Sequence, residues 1–314
     1  MKKSLGIHHI TAIVGDPQEN INFYAGVLGL RLVKQTVNFD DPGTYHLYFG
    51  NESGGPGTIM TFFPWEHAYQ GRIGAGQVGS IPFAVPEGAF SFWKERLTAK
   101  EIPFTIEVRF GEESILFDDP HGLHLEKIER AHGENSALEM DGITTKTAIK
   151  GFAGAVLLSA VPHRTAHLLE NVMGLENLGQ DGDYLRFKAA SDIGNIIDIK
   201  LTPVGRSMMG TGTVHHIAWR ALDDADMDSW KGHIDSTGFQ STAVLDRNYF
   251  KSIYFREEGG ILFEIATDPP GFTADEPIDA LGEKLMLPEW LEEKRTEIEN
   301  VLKPITIHPN DRGQ

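Results

Sequence analysis

The sequence IHHITA at residues 7–12 returns as VHHIAW at residues 214–219, and this repeat decides how the chain is organised. Both copies are β-branched and apolar around a pair of histidines, which is typical of a buried strand. An acidic turn and an amphipathic helical pattern follow each copy, at residues 17–27 and 225–234. We therefore expect two similar units, each opening with a strand that carries two histidines.

Two weaker copies of the unit lie between these. Residues 78–85 and 152–160 resemble the opening strand, and helical patterns follow them. The unit ends agree as well, because FDDPHGLHLE at residues 117–126 aligns without gaps on FREEGGILFE at residues 255–264. Each of these two stretches predicts a strand, a tight turn and a second strand, with a glutamate at the same place. The chain is predicted to be an α+β protein of four βαβββ modules.

The modules are expected at about residues 5–66, 76–130, 147–204 and 211–268. A polar, glycine-containing stretch at residues 131–145 is the predicted linker. The predicted division is residues 1–135 for modules one and two, 146–270 for modules three and four, and 271–314 for a C-terminal helical tail, with each pair of modules forming a half-barrel. In the tail, a charged helix opens at Pro288 and ends at Pro304.

The composition excludes several classes of function. The chain has 28 Lys and Arg against 45 Asp and Glu, a net charge of −17, which repels phosphate backbones and anionic lipids. We expect no nucleic-acid or membrane partner. There is no cysteine, which excludes thiol catalysis and iron–sulfur clusters. Without a leader pattern or an apolar run long enough to span a bilayer, the expected location is the cytoplasm.

The two histidine pairs and a strand-borne glutamate suit a metal site. Neighbouring side chains on a strand point to opposite faces, so only one histidine of each pair can reach a shared ion. One histidine from each pair plus a carboxylate leaves coordination positions open, as iron(II) needs when substrate and oxygen must both bind. The same donors accept manganese(II), and another divalent ion could be acquired during purification.

Other candidate sites are weaker. His121, His124 and Glu126 resemble a metal cluster, but the first strands of modules two and three carry no histidine to complete it, so we predict a turn and an ordinary strand. GAGQVG at residues 74–79 matches a dinucleotide-binding motif by letter, yet prolines and β-branched residues follow instead of a helix. His163 and His167 have helical spacing without a glutamate, which favours a surface position.

Paired βαβββ modules with ligands on their strands resemble the vicinal oxygen chelate superfamily. Within it, the chain is similar to the ring-cleaving dioxygenases that act on hydroquinones. The matching stretches are LRLVKQTVNFDD at residues 30–41, YHLYFG at 45–50, PGTIMTFFP at 56–64 and PEWLE at 288–292. The resemblance implies an iron(II)-dependent enzyme that opens substituted 1,4-diphenol rings with O₂.

The resemblance also assigns residues to roles. It implies that the second histidine of each pair is the ligand, so that the metal ligands are His9, His216 and Glu264. His8 and His215 would then lie behind the ligands or on the opposite face. The residues expected near the reaction are His215, Arg247, Tyr254, His8 and Thr11: Arg247 to stabilise negative charge, and His215 or Tyr254 to exchange the hydroxyl proton.

Ligands drawn from modules one and four would place the metal between these two modules, leaving modules two and three around a metal-free cavity. The expected partners are a small aromatic substrate and O₂, and a homo-oligomer remains open, as does the choice between hydroquinone and catechol. Two alternatives have weight: a glyoxalase-type metal-dependent isomerase, which in its family usually has a second glutamate ligand, and a non-catalytic small-molecule binding or sequestration protein.

Overall fold

The computed structural model describes residues 2–307, which fold into two curled sheets with helices on their outer faces. Module one contributes β1 (Ile7–Val14), β2 (Arg31–Asn38), β3 (Asp41–Gly50) and β4 (Ile59–Pro64). Module two contributes β5 (Gln77–Val85), β6 (Phe104–Arg109), β7 (Glu112–Asp118) and β8 (His124–Glu129). Module three contributes β9 (Gly151–Phe152), β10 (Gly154–Leu158), β11 (Glu176–Asp181), β12 (Tyr184–Lys188) and β13 (Ile196–Lys200). Module four contributes β14 (Thr213–Ala221), β15 (Leu245–Asp246), β16 (Lys251–Arg256) and β17 (Leu262–Thr267).

Each module carries its helix after its first strand. These helices are α1 (Pro17–Ile21), α2 (Phe90–Ala99), α3 (Pro162–His167) and α4 (Asp224–Ser236), and π-helical turns at Asn22–Val27 and Leu168–Val172 extend the first and third. Asp16 and Asp223 cap α1 and α4, because each carboxylate accepts a hydrogen bond from a backbone N–H of the first turn at 2.8 Å. The acidic turns in the sequence are therefore helix starts.

The strand order joins distant modules. The eight-stranded sheet runs β15-β16-β17-β14-β1-β4-β3-β2 and joins module four to module one. The nine-stranded sheet runs β11-β12-β13-β10-β5-β8-β7-β6, with β9 paired to β5, and joins module three to module two. The predicted α+β fold of paired half-barrels is confirmed. The assignment of residues 1–135, 146–270 and 271–314 to separate domains stays a prediction.

Two strands differ from the sequence expectation. The strand expected at 152–160 is divided into β9 and β10. Gly154 begins the second part, and the position requires glycine because a Cβ there would lie 1.7 Å from the Ile196 carbonyl oxygen. The sequence gives no signal for β11, because all six of its residues are exposed and they show no apolar alternation. It is an edge strand held by backbone pairing to β12.

The C-terminal tail ties the two edges of the eight-stranded sheet together. Asp275 accepts hydrogen bonds from Lys34 on β2 at 2.6 Å and from the Tyr249 hydroxyl, next to β16, at 2.9 Å. Glu276 forms a second ion pair with Lys34, which is fully buried. The tail contains 3₁₀ turns at Phe272–Ala274 and Ile278–Ala280 and the helices α5 (Glu289–Glu292) and α6 (Arg295–Val301), so the single helix expected from Pro288 is interrupted.

Within residues 2–307, no helix has the length and apolar character that a bilayer crossing requires. The longest helix, α4, has 13 residues and carries aspartates in its first turn.

One buried charge is unusual. Lys127 on β8 has no exposed surface and no hydrogen-bond partner among residues 2–307, and its side-chain nitrogen lies 4.0 Å from the ring centre of Trp93 and 5.1 Å from that of Phe83. Burial holds the pKa of Lys127 well below its usual range. The aromatic rings offset part of the lost hydration, but no carboxylate in the described part of the chain pairs with this lysine.

Replacing this lysine should therefore stabilise the protein. We predict that Lys127→Met raises the free energy of unfolding by about 2 kcal/mol at neutral pH. Because the folded-state pKa is depressed, the unfolded chain binds more protons, and wild-type stability rises with pH until the unfolded lysine also deprotonates at about pH 10. The advantage of the variant should shrink accordingly in urea unfolding at high pH. Lys146→Met, at an exposed lysine, is the control and should change the free energy of unfolding little. A Lys127→Met protein that is less stable than wild type would contradict the prediction and would show that the aromatic rings stabilise the buried lysine.

Candidate metal centre

The antiparallel pairing of β1 with β14 places the candidate ligands in two rows across the eight-stranded sheet, separated by the row of Ile10 and Ile217. His9 lies opposite Ala218, and Ala218 lies opposite Glu264 on β17. In the second of these rows, His216 lies opposite Thr11, which lies opposite Thr61 on β4. Side chains in such rows share a face of the sheet. The two histidines therefore project from neighbouring central strands to the same side as Glu264.

The three side chains meet at one point. His9 Nε2 lies 3.2 Å from His216 Nε2 and 3.3 Å from Glu264 Oε2, and His216 Nε2 lies 2.9 Å from the same oxygen. All three residues are buried. Among residues 2–307 they are the group of three potential ligands whose donor atoms all lie within 4.8 Å of one another.

Glu264 indicates what this cluster lacks. Its carboxylate is fully buried, yet neither oxygen accepts a hydrogen bond of acceptable geometry from the described residues. Burial raises the pKa of this carboxyl, but the adjacent His9 and His216 outweigh it and hold the pKa well below its usual range. An ionised, buried carboxylate normally requires several donors or a cation. Two imidazole nitrogens facing it complete a donor set that fits a divalent metal ion.

The first histidine of each pair holds the second in place. His8 Nδ1 lies 2.9 Å from His9 Nδ1, and His215 Nδ1 lies 2.7 Å from His216 Nδ1. Burial keeps the pKa of His8 well below its usual value and lowers that of His215 to about 3, so both rings are neutral. A neutral ring can accept the Nδ1–H of its neighbour, which leaves Nε2 of His9 and of His216 free for a metal. Such hydrogen bonds fix the tautomer and orientation of metal-bound histidines.

A cavity of about 530 Å³ opens beside the histidines. Its apolar walls include the stacked rings of Phe63 and Trp65, whose centres are 5.7 Å apart, together with Phe250 and Leu262. The volume and the predominantly apolar lining are typical of a small-molecule site.

The predicted reaction residues divide into two groups. His215, Arg247 and Tyr254 line the cavity, and the Arg247 guanidinium lies 5.5 Å from the ring centre of Tyr254. His8 and Thr11 lie outside this lining, His8 behind His9 against Phe250, with ring centres 5.4 Å apart. The Thr11 hydroxyl is hydrogen-bonded to that of Thr61 at 2.8 Å.

His46 and Tyr48 are cavity residues that the sequence reasoning did not select. His46 Nε2 lies 2.9 Å from the Thr61 hydroxyl, and the Tyr48 hydroxyl lies 2.8 Å from His46 Nδ1. Burial lowers the pKa of His46 well below its usual value, so its ring is neutral. Both residues lie in YHLYFG at residues 45–50. Their spacing of two positions on a strand places them on the same face, and this spacing is the sequence signal that could have identified them.

The weaker candidates do not converge on a metal. His124 pairs with Asp118 at 2.7 Å, Glu126 pairs with Arg109, and His121 Nδ1 is 3.4 Å from the backbone N–H of Gly15. Residues 74–76 are loop and lead into strand β5, which leaves no helix N-terminus for a phosphate. His163 and His167 lie on α3, with neither side chain buried.

The repeat, the two half-barrels and a ligand cluster between modules one and four are the properties of one family. Residues 6–126 and 146–265 match the Glyoxalase/Bleomycin resistance protein/Dioxygenase superfamily, and the chain belongs to it.

Its relatives narrow the class to dioxygenases. The chain is 62% identical over 310 residues to MhqO of Bacillus subtilis strain 168, which is provisionally named a ring-cleaving dioxygenase, with 99% of both chains covered. It is 33% identical to the chlorohydroquinone/hydroquinone 1,2-dioxygenase of Sphingobium indicum, covering 96% of this chain and 97% of the other. A crystal structure of a provisionally named dioxygenase from Bacillus subtilis superposes with a TM-score of 0.97 at 62% identity, covering 98% of this chain and 99% of the other. Homology to ring-cleaving dioxygenases therefore extends over the whole chain.

The buried carboxylate predicts separate effects of its removal in the metal-free and the metal-loaded protein. In the metal-free protein, Glu264→Gln should lower the free energy of unfolding at neutral pH by about 1–3 kcal/mol, because His9 and His216 favour the ionised carboxylate, whose pKa they hold down, and the amide loses that interaction. Iron(II) at roughly a hundred times its Kd should stabilise the wild type by about 2.7 kcal/mol and the variant hardly at all. Denaturant unfolding under anaerobic conditions, with and without iron(II), measures both effects.

Glu126→Gln is the matched control, at the corresponding position of the other sheet. Because Glu126 is paired with Arg109, this change should destabilise the protein with or without metal, by about 3–5 kcal/mol. Equal iron-induced stabilisation of wild type and Glu264→Gln would contradict the assignment of the ligand.

Proposed function

We propose that this protein is an iron(II)-dependent dioxygenase that uses O₂ to open hydroquinone-type rings, that is, substituted 1,4-diphenols. The observation that carries the proposal is the buried cluster of His9, His216 and Glu264 at the side of an aromatic-lined cavity. Two histidines and one carboxylate leave open positions on the ion and are typical of iron(II) oxygenases. The 33% identity to a chlorohydroquinone/hydroquinone 1,2-dioxygenase supports the choice of substrate class.

The cavity suits a flat, mostly apolar ring. Phe63, Trp65 and Phe250 provide aromatic faces, and a cavity of about 530 Å³ accommodates a substituted single ring. Packing of the substrate ring against these side chains would exclude water from the part of the cavity next to the ligand cluster. The protein's net charge of −17 favours a neutral diphenol over a substrate that already carries several negative charges.

Polar groups at the cavity wall would handle the substrate hydroxyls. Neutral His215, whose pKa burial lowers to about 3, accepts the His216 Nδ1–H at its own Nδ1, so its proton is on Nε2 and can be donated in a hydrogen bond to a substrate hydroxyl oxygen. Burial raises the pKa of Tyr254, so its hydroxyl stays protonated and can donate. Arg247 supplies a positive charge beside Tyr254 that stabilises negative charge developing on the ring oxygens. Bound iron(II) would supply the electron transfer between an aromatic ring and O₂.

The experiment that tests this proposal is oxygen uptake after anaerobic loading with iron(II). We expect uptake with substituted hydroquinones, loss of the ring absorbance in parallel, and no uptake with the metal-free protein. Glu264→Ala should bring uptake to background, whereas His124→Ala, which removes an exposed histidine, should retain full uptake and full iron content. Manganese(II) loading in parallel identifies the active ion.

A different result would redirect the assignment. Uptake with catechols and none with hydroquinones would replace the substrate class and keep the reaction type. The absence of uptake with every diphenol, despite bound iron, would overturn the dioxygenase proposal, and turnover of methylglyoxal with glutathione would then support an isomerase.

Arg247 provides a second prediction. Arg247→Gln should lower kcat/KM for the diphenol by about a hundredfold, because a preorganised charge at a developing anion is lost. Arg247 also forms a 3.1 Å ion pair with Asp40, whose side chain is largely exposed. Asp40→Asn removes that pair and leaves the guanidinium in place, so it should change kcat/KM by less than about threefold. Equal losses in steady-state oxygen uptake for the two variants would show that the ion pair, and not the charge beside the substrate, matters.

A further inference from the structure

The nine-stranded sheet contains counterparts of the metal-ligand positions. Its centre is the antiparallel pair β5 and β10, where Ser80 lies opposite Val156, and Val156 lies opposite Asp198 on β13. The eight-stranded sheet has the same row, with His9 opposite Ala218 and Ala218 opposite Glu264. Ser80 therefore stands where His9 stands, and Asp198 stands where Glu264 stands.

The carboxylates of this second set are satisfied within the protein. Asp198 accepts two hydrogen bonds from Arg186, at 2.7 and 2.8 Å. Glu126 accepts a hydrogen bond from the Ser80 hydroxyl at 2.7 Å and another from Arg109. In each case a guanidinium provides the positive charge that a metal ion would have provided. The charges of Asp198 and Glu126 are therefore already balanced without a metal ion.

The nine-stranded sheet nevertheless has a cavity of its own. A cavity of about 600 Å³ lies on this sheet, compared with about 530 Å³ at the metal centre. Protein interiors are close-packed, so a hollow of this size with a defined lining is the property of a ligand site. The apolar part of the lining is formed by Phe104, Leu116, Leu125, Val156 and Leu158.

The polar part of the lining includes two cations beside one tyrosine. Lys200 Nζ lies 5.8 Å and the Arg109 guanidinium 5.0 Å from the ring centre of Tyr184. Among residues 2–307, Lys200 has no ion-pair partner, and the Tyr184 hydroxyl has no hydrogen-bond partner. The cavity lining also contains three carboxylates: Glu126, which pairs with Arg109, Asp118, which pairs with His124, and Glu107, which is exposed to solvent.

We propose that this second cavity is a metal-independent binding site for a small organic carboxylate with an apolar body. The carboxylate would accept hydrogen bonds from the Lys200 ammonium, the Tyr184 hydroxyl and the N–H groups of Arg109 that do not bind Glu126. The apolar body would contact Leu116, Leu125 and the neighbouring side chains of the lining. A free cation and a free hydroxyl in one partly enclosed apolar cavity complement a single negative charge. The site does not depend on the reaction at the metal centre.

Calorimetric titration of benzoate into the full-length, metal-free Glu264→Gln protein tests the proposal. This variant lacks the carboxylate that would hold a metal ion, so benzoate cannot bind to an ion there, and the Lys200 variants below distinguish heat from the second cavity from heat of anion binding beside Arg247. We expect one benzoate per chain with a Kd of about 1 mM or lower, which a ligand of this size can reach. Benzamide, which has the same shape and no charge, should bind at least about tenfold more weakly.

Variants in the same background locate the site. Lys200→Gln should weaken benzoate binding by at least about tenfold, since a charge-assisted hydrogen bond is lost. Lys200→Arg should keep it within about threefold, and its retention excludes misfolding as the cause of the loss. Lys188→Gln, at an exposed lysine on the adjacent strand β12, is the matched control and should bind as the parent does.

Three results would overturn the proposal. These are the absence of saturable benzoate binding, equal affinities for benzoate and benzamide, and unchanged benzoate affinity in Lys200→Gln. Binding seen in the wild-type protein but lost in the Glu264→Gln background would place the carboxylate at the metal centre and would equally overturn it.

Discussion

The pairing of β1 with β14 is the contact on which the site depends. These strands lie 207 residues apart at the histidine ligands, and they form the middle of the eight-stranded sheet. Their register sets His9 in the row of Glu264 and His216 in the row of Thr11. A shift of one residue would turn every side chain of the shifted strand to the opposite face and remove that strand's ligand histidine from the cluster. The buried, β-branched residues around both histidine pairs hold this register, because the hydrophobic faces can be buried in only one alignment.

The same carboxylate position is neutralised in three ways within one chain. Asp198 is paired with Arg186, and Glu126 with Arg109 and Ser80, whereas Glu264 faces two histidines and accepts no hydrogen bond of acceptable geometry from the described residues. A buried carboxylate without compensation is costly, so each copy of the module must hold either a cation of its own or a site for one. The duplicated fold thus separates two properties. The eight-stranded sheet has the open donor set that a metal requires. In the nine-stranded sheet, arginine side chains balance the carboxylates, and a cavity is still present.

Much of this arrangement could be predicted from the sequence, because the deciding signals are local. The histidine pair at residues 7–12 recurs at 214–219, and the unit endings align on Glu264, so resemblance and repeat together indicated the three clustered residues. His46 and Tyr48 could not be found in the same way. They line the cavity because the sheet curls and brings β3 towards the ligands. The spacing of residues in the sequence does not indicate how strongly a sheet curls. β11 is a similar case, since backbone pairing alone makes it a strand.

The curl itself rests on contacts between the two edges of the sheet. Asp275 of the tail accepts hydrogen bonds from Lys34 near one edge and from Tyr249 near the other, while Phe272 packs with its ring centre 5.2 Å from that of Tyr249. These contacts leave the cavity open elsewhere, where Asp40 and Arg247 form an ion pair between the two edges. Arg247 therefore contacts both the entrance and the Tyr254 side of the cavity. Because a solvent-exposed ion pair contributes little free energy, the guanidinium can exchange Asp40 for a negative charge inside the cavity at small cost. The tail segment with Phe272 and Asp275, which follows Glu264 closely in sequence, thus contacts both sides of the sheet around the cavity in which the ligand cluster and Arg247 face one another.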